Sequence, residues 1–193
     1  MFHEGDPGDA LHLIDKGHIS IRVTTALGDV ATLAVVGPGE GFGEGALLTP
    51  DSRRSASAVA VVAAETRTLT GADFEDLRTR HPRVERLLTE QLALQVRRLS
   101  ESLVEAHYVA ADVRVVRRLS ELVDLFTAEG GTGDAAAGRG TVPVTQQELA
   151  SMAGTTRPTA NRVLRELEDA GVVTLGRGRI SVEDIDALRA RTD

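Results

Sequence analysis

The first third of the chain alternates hydrophobic and polar residues in short runs that are separated by glycine-containing turns. The runs occupy residues 11–14, 18–23, 29–36, 57–63 and 66–69. A period of two, bounded by glycine, proline or aspartate, is typical of β-strands with one buried face. Many short strands at even spacing predict a small barrel or jelly roll.

The pattern then changes to a helical period. Residues 72–81 are predicted to form a short helix, and Pro82 suits the first turn of a long helix that reaches about residue 109. Apolar positions follow the a/d spacing of a heptad along this long helix, at Leu92, Val96, Leu99, Leu103, Ala106 and Ala110. Charged residues flank this seam, so we expect its first four members to hold a homodimer together. The alternative is a seam that packs on the β-domain.

A further helix is predicted over residues 112–127, and residues 128–140 form a glycine- and alanine-rich loop to which we assign no function. Thr145, followed three residues later by Glu148, is a capping box that predicts the start of another helix. Gly154 suits a tight turn after it, and Thr155 or Thr156 would cap the next helix.

A helix, a glycine turn and a second helix are typical of the helix-turn-helix, whose second helix enters the major groove of DNA. Its exposed positions would be Arg157, Thr159, Asn161 and Arg162. Arginine most often reads guanine, and threonine suits phosphates. Residues 172–182 predict a hairpin with a basic tip, a wing that can reach phosphates. The alternative is an ordinary helical hairpin with solvated arginines.

Residues 41–56 combine alternating glycines around Glu44 with the run Arg53-Arg54-Ser55. Glycines allow successive backbone N–H groups to converge on an anion, and a guanidinium can add a bidentate bond to it. A bare phosphate would repel Glu44, which favours a ligand with hydroxyls beside its phosphate. The stretch therefore predicts a sugar-phosphate pocket, although glycine turns and solvated arginines are common for other reasons.

Composition narrows the possible functions. The 193 residues carry a net charge of −7 and contain no cysteine, which excludes disulfides, iron–sulfur clusters and thiolate metal sites. No apolar run has the length of a membrane span and no signal segment opens the chain, so we expect a cytoplasmic protein without a membrane partner. Neither a catalytic triad nor a metal-ligand spacing stands out, so we expect no enzyme, no catalytic residues and no metal.

The whole chain resembles the CRP/FNR family of bacterial transcription regulators. The residues that carry the resemblance are Phe2-His3-Glu4-Gly5-Asp6, Leu13-Ile14, Lys16-Gly17, Pro38-Gly39-Glu40-Gly41-Phe42-Gly43-Glu44, Arg54-Ser55-Ala56 and the helix-turn-helix. The resemblance implies an α+β fold with a cyclic-nucleotide-binding β-roll (jelly-roll-like) over residues 1–81, a dimerisation helix over 82–110 and a winged helix-turn-helix over 111–193. The chain lacks the helix and first strand with which the family's roll begins, so we expect a chain truncated at its N-terminus, either because its start is assigned too late or because the roll is incomplete.

The resemblance also implies a function. It is that of a dimeric regulator whose affinity for a palindromic, double-stranded DNA operator is controlled allosterically by a cyclic nucleotide, with RNA polymerase as a further partner. The effector would be cyclic AMP (cAMP), and no cofactor would be required. The alternative is a regulator of the same type with a degenerate effector domain that is independent of ligand or senses a different small molecule.

Site residues follow from the same resemblance. In the cAMP-binding branch, the residue at Glu44 bonds the ribose 2′-hydroxyl, the residues at Arg54 and Ser55 hold the cyclic phosphate, and Ser102 would complete the pocket at the base. The predicted nucleotide site is Gly43, Glu44, Gly45, Ala46, Arg54, Ser55 and Ser102. The predicted DNA site is Thr145, Gln146, Thr156, Arg157, Pro158, Thr159, Asn161, Arg162, Arg177 and Arg179.

Three positions depart from the family pattern. Gly45 replaces a larger aliphatic residue, and Leu103 stands where a second hydroxyl is expected, so the base is recognised less securely than the ribose phosphate. Pro158 replaces an acidic residue that reads a base, so the operator should differ at that position.

Overall fold

Strand pairing in the N-terminal part of the chain follows the period-two pattern of the sequence. The computed structural model describes residues 1–26, 28–49, 52–128, 133–134 and 138–192, with backbone only at 133 and 134. The chain divides into two compact units, Met1–Val104 and Glu105–Asp193.

Within its described residues, the first unit contains six strands and the long helix. The strands are β1 (Ala10–Lys16), β2 (Ile19–Thr24), β3 (Val30–Val36), β4 (Gly41–Phe42), β5 (Ser57–Ala60) and β6 (Glu65–Thr70). The helices are α1 (Gly45–Leu48), α2 (Gly71–Arg80) and α3 (Arg83–Tyr108), the last of which continues into the second unit.

These strands form two antiparallel sheets of three strands each, in the orders β4-β1-β6 and β3-β2-β5. Ile14 and Phe42 from one sheet and Ile19 and Ala58 from the other form one buried hydrophobic cluster. Since apolar burial is the main favourable term in folding, this shared cluster holds the two sheets together. The predicted β-roll is confirmed.

Gly17 makes the corner between the two sheets. It has φ of 78°, a conformation that side chains other than glycine rarely adopt. A Cβ at this position would lie 2.1 Å from the carbonyl oxygen of Ala63 and 2.7 Å from Cα of Ala64. The corner therefore requires glycine for two separate reasons.

The second unit consists of helices packed on a four-stranded antiparallel sheet of order β7-β8-β10-β9. Its elements are α4 (Ala111–Thr127), β7 (Gly133–Asp134), β8 (Arg139–Val142), α5 (Gln146–Met152), α6 (Arg157–Asp169), β9 (Val173–Gly176), β10 (Arg179–Val182) and α7 (Ile185–Arg189). Its fully buried side chains include Val115, Leu119, Leu149, Leu164, Ile180 and Leu188. The α+β fold class is thereby confirmed.

The prediction of a loop over residues 128–140 is wrong in part. Gly133–Asp134 forms β7, and β8 begins at Arg139, where Gly140 pairs with Val182 of β10. These strands lack a hydrophobic period because they are short and contain glycine, and long-range pairing holds them in place. Residues 129–132 and 135–137 lie outside the described part of the chain. The sequence also did not predict β4 and α1, which form within the glycine-rich stretch.

Helix α3 has no buried residue along its 26 positions. Val96, Leu99 and Leu103, which belong to the predicted seam, are 62%, 60% and 63% exposed. Leu92, the first member of the seam, is half-buried, so the other three of its first four members are the ones that the β-domain leaves uncovered. Within the described residues, no helix is long and apolar enough to cross a membrane.

The end of α3 is tied to the turn that follows α5 by one side chain. Arg114, in the first turn of α4, donates to the carbonyl oxygens of Val109 at 2.6 Å, Ala153 at 2.8 Å and Gly154 at 2.9 Å. The C-terminal carbonyls of helices carry partial negative charge, so a guanidinium suits this position.

Replacing Gly17 tests the corner of the roll. Gly39→Ala is the matched control, because Gly39 has φ of 81° but a Cβ added to it would meet no atom within 4 Å. We expect Gly39→Ala to cost about 1–2 kcal/mol through its φ alone, and Gly17→Ala to cost clearly more because the backbone at Ala63 must move. Denaturant unfolding of both variants measures the difference, and equal losses would contradict the steric role.

Candidate functional site

The guanidinium of Arg54 lies at the centre of the predicted nucleotide site. Its side chain is only 4% exposed. Nη1 donates to the carbonyl oxygens of Ala10 at 2.8 Å and Gly43 at 3.3 Å, and Nη2 donates to Oδ1 of Asp9 at 3.1 Å. The ring of Phe2 lies against the guanidinium, with its centroid 4.1 Å from Cζ. The buried Nε has no hydrogen-bond partner among the described residues.

The N-terminal segment holds Arg54 in this position through backbone pairing. Arg54 N donates to the carbonyl oxygen of Asp6 at 2.8 Å, and its own carbonyl oxygen accepts from Gly5 N at 2.9 Å. One step along, Gly8 N donates to the carbonyl oxygen of Ser52 at 2.7 Å. The Arg54 side chain is thereby directed towards the start of β1, where it meets Ala10.

Gly43 allows the glycine-rich turn to pass close to this cation. Its φ is 83°, and a Cβ on it would lie 2.5 Å from Nη1 of Arg54. Any side chain at this position would displace the guanidinium. The structure therefore brings Arg54 beside the turn that leads into Glu44 and α1.

The other predicted ligand-binding residues differ in exposure. Glu44 is half-buried and its side chain does not cap α1; Ala46 is also half-buried, whereas Gly45 and Ser55 are exposed. Arg53 is exposed and donates to the carbonyl oxygen of Gly5 at 2.8 Å.

Ser102 stays a predicted member of the site. It lies on α3, one helical turn after Arg98, whose guanidinium pairs with Glu40 of the roll at 3.2 Å. The side chain of Ser102 is exposed, and no hydrogen bond between the described residues joins it to residues 43–55. Its neighbour Leu103 is 63% exposed.

Sequence reasoning missed three residues around Arg54, namely Asp9, Phe2 and His12. The ring of His12 is stacked on Phe42 at 5.2 Å with an interplanar angle of 12°, and Phe2 lies 5.6 Å from it. The contact between Asp9 and Arg54 spans 45 residues, so no local pattern could have indicated it. The Phe2–Asp6 run carried part of the family resemblance, but gave no sign of a contact with Arg54.

Burial, and after it the nearby Arg54 guanidinium, lower the pKa of His12 below its ordinary value, and Asp9 opposes them only in part. The buried Nδ1 of His12 has no hydrogen-bond partner among the described residues. Burial and the Arg54 guanidinium therefore both favour the neutral form of the His12 imidazole.

His12 should make the roll sensitive to acid. A pKa lowered in the folded state gives stability that is present above the ordinary histidine pKa of about 6.5 and lost as the pH falls through the folded value. We expect the free energy of unfolding to fall less in His12→Gln than in the wild type when the pH is lowered from neutral to below the folded-state pKa of His12. Unfolding in denaturant across a pH series measures this, with the exposed His81→Gln as control. A wild-type slope in His12→Gln would contradict the assignment.

The capping box predicted at α5 is confirmed. Thr145 N donates to Oε2 of Glu148 at 2.7 Å, and Glu148 N donates to Oγ1 of Thr145 at 3.2 Å. Gly154 makes the turn with φ of 57°. Of the two threonines considered as the cap of α6, it is Thr156 whose side chain accepts from Thr159 N.

Helix α6 buries one face, and of its four polar positions predicted to be exposed, Arg157 and Arg162 are exposed whereas Thr159 and Asn161 are half-buried. Its buried residues are Ala160, Val163, Leu164 and Leu167. Arg157 and Pro158 are exposed in the first turn, where the missing N–H of proline has no cost. Arg162 pairs with Glu166 at 2.8 Å.

The wing is bonded directly to α6. Leu175 N donates to Oε1 of Glu168 at 3.0 Å, and this bond is the first cause that lowers the pKa of Glu168. Arg177 and Arg179 of the hairpin are both exposed. An open recess lies between α5, α6 and the wing, and it is lined by Thr145, Gln146, Gln147, Arg157, Gly176, Arg177 and Gly178. The structure thus brings four predicted DNA-contacting residues, Thr145, Gln146, Arg157 and Arg177, around one recess.

Two protein-family models match the chain, one in each half. Residues 1–81 match the model of the cyclic nucleotide-binding domain, and residues 113–191 match that of the Crp-like helix-turn-helix domain. The Thermus thermophilus cyclic AMP receptor protein is 37% identical over 188 residues, which cover 97% of this chain and 82% of that protein.

Two further comparisons agree with this. A CRP-like cAMP-activated global transcriptional regulator from Mycobacterium tuberculosis is 29% identical over 194 residues, which cover 99% of this chain and 83% of that protein. The crystal structure of a CRP-family transcriptional regulator from Thermus thermophilus has the same fold, with a TM-score of 0.78 at 22% identity, covering 100% of this chain and 92% of that one.

The fold and its sites define a regulator that joins a cyclic nucleotide-binding domain to a helix-turn-helix domain. The chain belongs to the CRP/FNR family of DNA-binding transcription regulators. It is a transcription regulator and not an enzyme.

Proposed function

We propose that this chain forms a homodimer whose affinity for a palindromic operator is raised by cAMP. The observation that carries the proposal is the buried guanidinium of Arg54 beside the Gly43 turn. A buried cation is costly unless an anion or a set of hydrogen bonds compensates for it. The relatives from Thermus thermophilus and Mycobacterium tuberculosis, which are named for cAMP, support the choice of this nucleotide.

The contact with Asp9 suggests how the phosphate would bind. The side chain of Asp9 is 86% exposed whereas that of Arg54 is 4% exposed, so the carboxylate is the partner that solvent reaches. A cyclic phosphate that replaces Asp9 at Nη2 of Arg54 would keep the cation paired. Ser55 would donate its hydroxyl to the same phosphate, and Glu44 would accept from the ribose 2′-hydroxyl.

Helix α3 would connect the nucleotide to the dimer. Ser102, predicted to meet the base, lies on the same helix as the exposed seam of Val96, Leu99 and Leu103. A second α3 would cover this seam in the manner of a coiled coil. Nucleotide bound next to α3 would then bias the pairing of two helices, and a coupling of about 1–3 kcal/mol is typical of such regulation.

The second unit would place one α6 in the major groove of each half-site. Arg157 and Arg162 would read bases, while Thr145, Thr156, Thr159 and the wing arginines would contact phosphates. RNA polymerase would be the further partner at the promoter, and the protein would act in the cytoplasm, where bacterial DNA lies.

Calorimetric titration with cAMP and with cyclic GMP tests the nucleotide site. Arg54→Lys keeps the charge but loses the planar fork of donors, so we expect it to weaken cAMP binding by about tenfold or more. Arg53→Lys changes the neighbouring, exposed arginine and should leave the affinity unchanged. Equal affinity in the wild type and Arg54→Lys would contradict the assigned role.

Operator binding with and without saturating cAMP tests the regulation in the same proteins. A rise in DNA affinity supports control by cAMP. Unchanged DNA affinity, together with no heat of nucleotide binding, would instead favour the regulator with a degenerate effector domain.

Replacing Leu99 tests the dimer. Leu87 is the matched control, because it is 59% exposed against 60% for Leu99 but lies on nearly the opposite face of α3 from the seam. We expect Leu99→Glu to shift the protein towards monomer in sedimentation analysis, because each copy would bring a charge into the apolar contact. Leu87→Glu should sediment as the wild type does. A monomeric wild type, or dissociation in both variants alike, would contradict the seam.

A further inference from the structure

Two amide side chains form a pair between the two helices of the helix-turn-helix. Nδ2 of Asn161, on α6, donates to Oε1 of Gln146, the first residue of α5, at 2.7 Å. Both residues are half-buried. No other hydrogen bond of either side-chain amide is present among the described residues, so each keeps polar groups that can bind something else.

One member of the pair, Gln146, lines the recess that the wing completes. Arg157 lines this recess as well, opposite Arg177 at the wing tip. Asn161 follows Arg157 by four residues on α6, and residues at this spacing lie on the same side of a helix. The amide pair is therefore next to the N-terminal part of α6, the part of a recognition helix that reaches base edges.

The bond within the pair determines what it presents outward. Each amide has one acceptor oxygen and one NH₂ donor group. With one N–H of Nδ2 bonded to Oε1, the wholly unused groups are the acceptor Oδ1 of Asn161 and the donor Nε2 of Gln146, while Nδ2 keeps a second N–H and Oε1 a second lone pair. Reversing both amides exchanges these roles but again leaves one unused acceptor oxygen and one unused donor group.

This combination matches one base in the major groove. Adenine presents an acceptor, N7, beside a donor, N6, whereas guanine presents two acceptors, N7 and O6. A donor beside an acceptor satisfies adenine with two hydrogen bonds and faces guanine O6 with an oxygen. We propose that Gln146 and Asn161 act as one unit that specifies an adenine in each half-site. This rests on the proposed role of α6 as the DNA-reading helix.

Selection of bound sequences from a randomised DNA library by the full chain, with and without cAMP, tests the proposal. We expect the wild type to prefer adenine over guanine at one position of each half-site by on the order of tenfold to a hundredfold. Asn161→Ala and Gln146→Ala should each remove this preference, and the double variant should lose no more than either single one. Asn161→Asp, of nearly the same volume, should also remove it, because the donor to Gln146 is lost.

Gln147→Ala is the matched control. Gln147 is the adjacent amide on α5 and lines the same recess, but it makes no described bond to Asn161. We expect it to keep the adenine preference, and thermal unfolding will verify that every variant is folded.

The outcomes separate the pair from the reading helix. Absence of an adenine position in the wild type, or variants that weaken all sequences equally and keep the preference, would overturn the role of the pair. If Arg157→Ala nevertheless changes the preferred base at another position of the half-site, α6 remains the reading helix and only the role of the pair is wrong. If neither Arg157→Ala nor the pair variants change any position, the proposed function of α6 fails as well.

Discussion

The burial of one guanidinium constrains most of the N-terminal unit. Arg54 is almost fully enclosed, and an ion removed from water must recover its lost hydration from nearby dipoles, anions and π-electrons. Ala10 and Gly43 supply carbonyl oxygens and Phe2 supplies a ring face. These three residues lie in separate segments of the chain, so the roll must close correctly before the charge is compensated.

The buried charge of Arg54 also explains which residue types surround it. A glycine is required where the turn touches the guanidinium, because a Cβ at Gly43 would collide with it. An imidazole with a lowered pKa is tolerated at His12 because its neutral form is favoured there. Among the described partners of the guanidinium, Asp9 is the one whose side chain is exposed, at 86%.

Local signals in the sequence predicted the elements that local physics determines. The Thr145–Glu148 box, the turn at Gly154 and the cap of α6 depend on residues within three or four positions of one another, and the structure contains all of them. The seam on α3 was equally visible, since a helix repeats its faces regardless of what covers them.

Contacts between distant segments could not be predicted in this way. Strands β7 and β8 depend on pairing that reaches β10, and their glycines gave no period. The partners of Arg54 lie more than ten residues away in sequence, and the bond between Gln146 and Asn161 spans 15. Residue type identified the arginine and the amides as candidate binding residues, but only the fold shows which protein groups already form hydrogen bonds with them.

Arg114 has a mechanical consequence for the second unit. Its guanidinium holds a carbonyl at the end of α3 and two carbonyls at the turn after α5 at the same time. A change in the direction of the last turn of α3 must therefore either carry that turn with it or break the bonds of Arg114 on one side, to Val109 or to Ala153 and Gly154. Because the turn at Ala153 and Gly154 leads directly into α6, Arg114 couples the direction of the end of α3 to the position of α6.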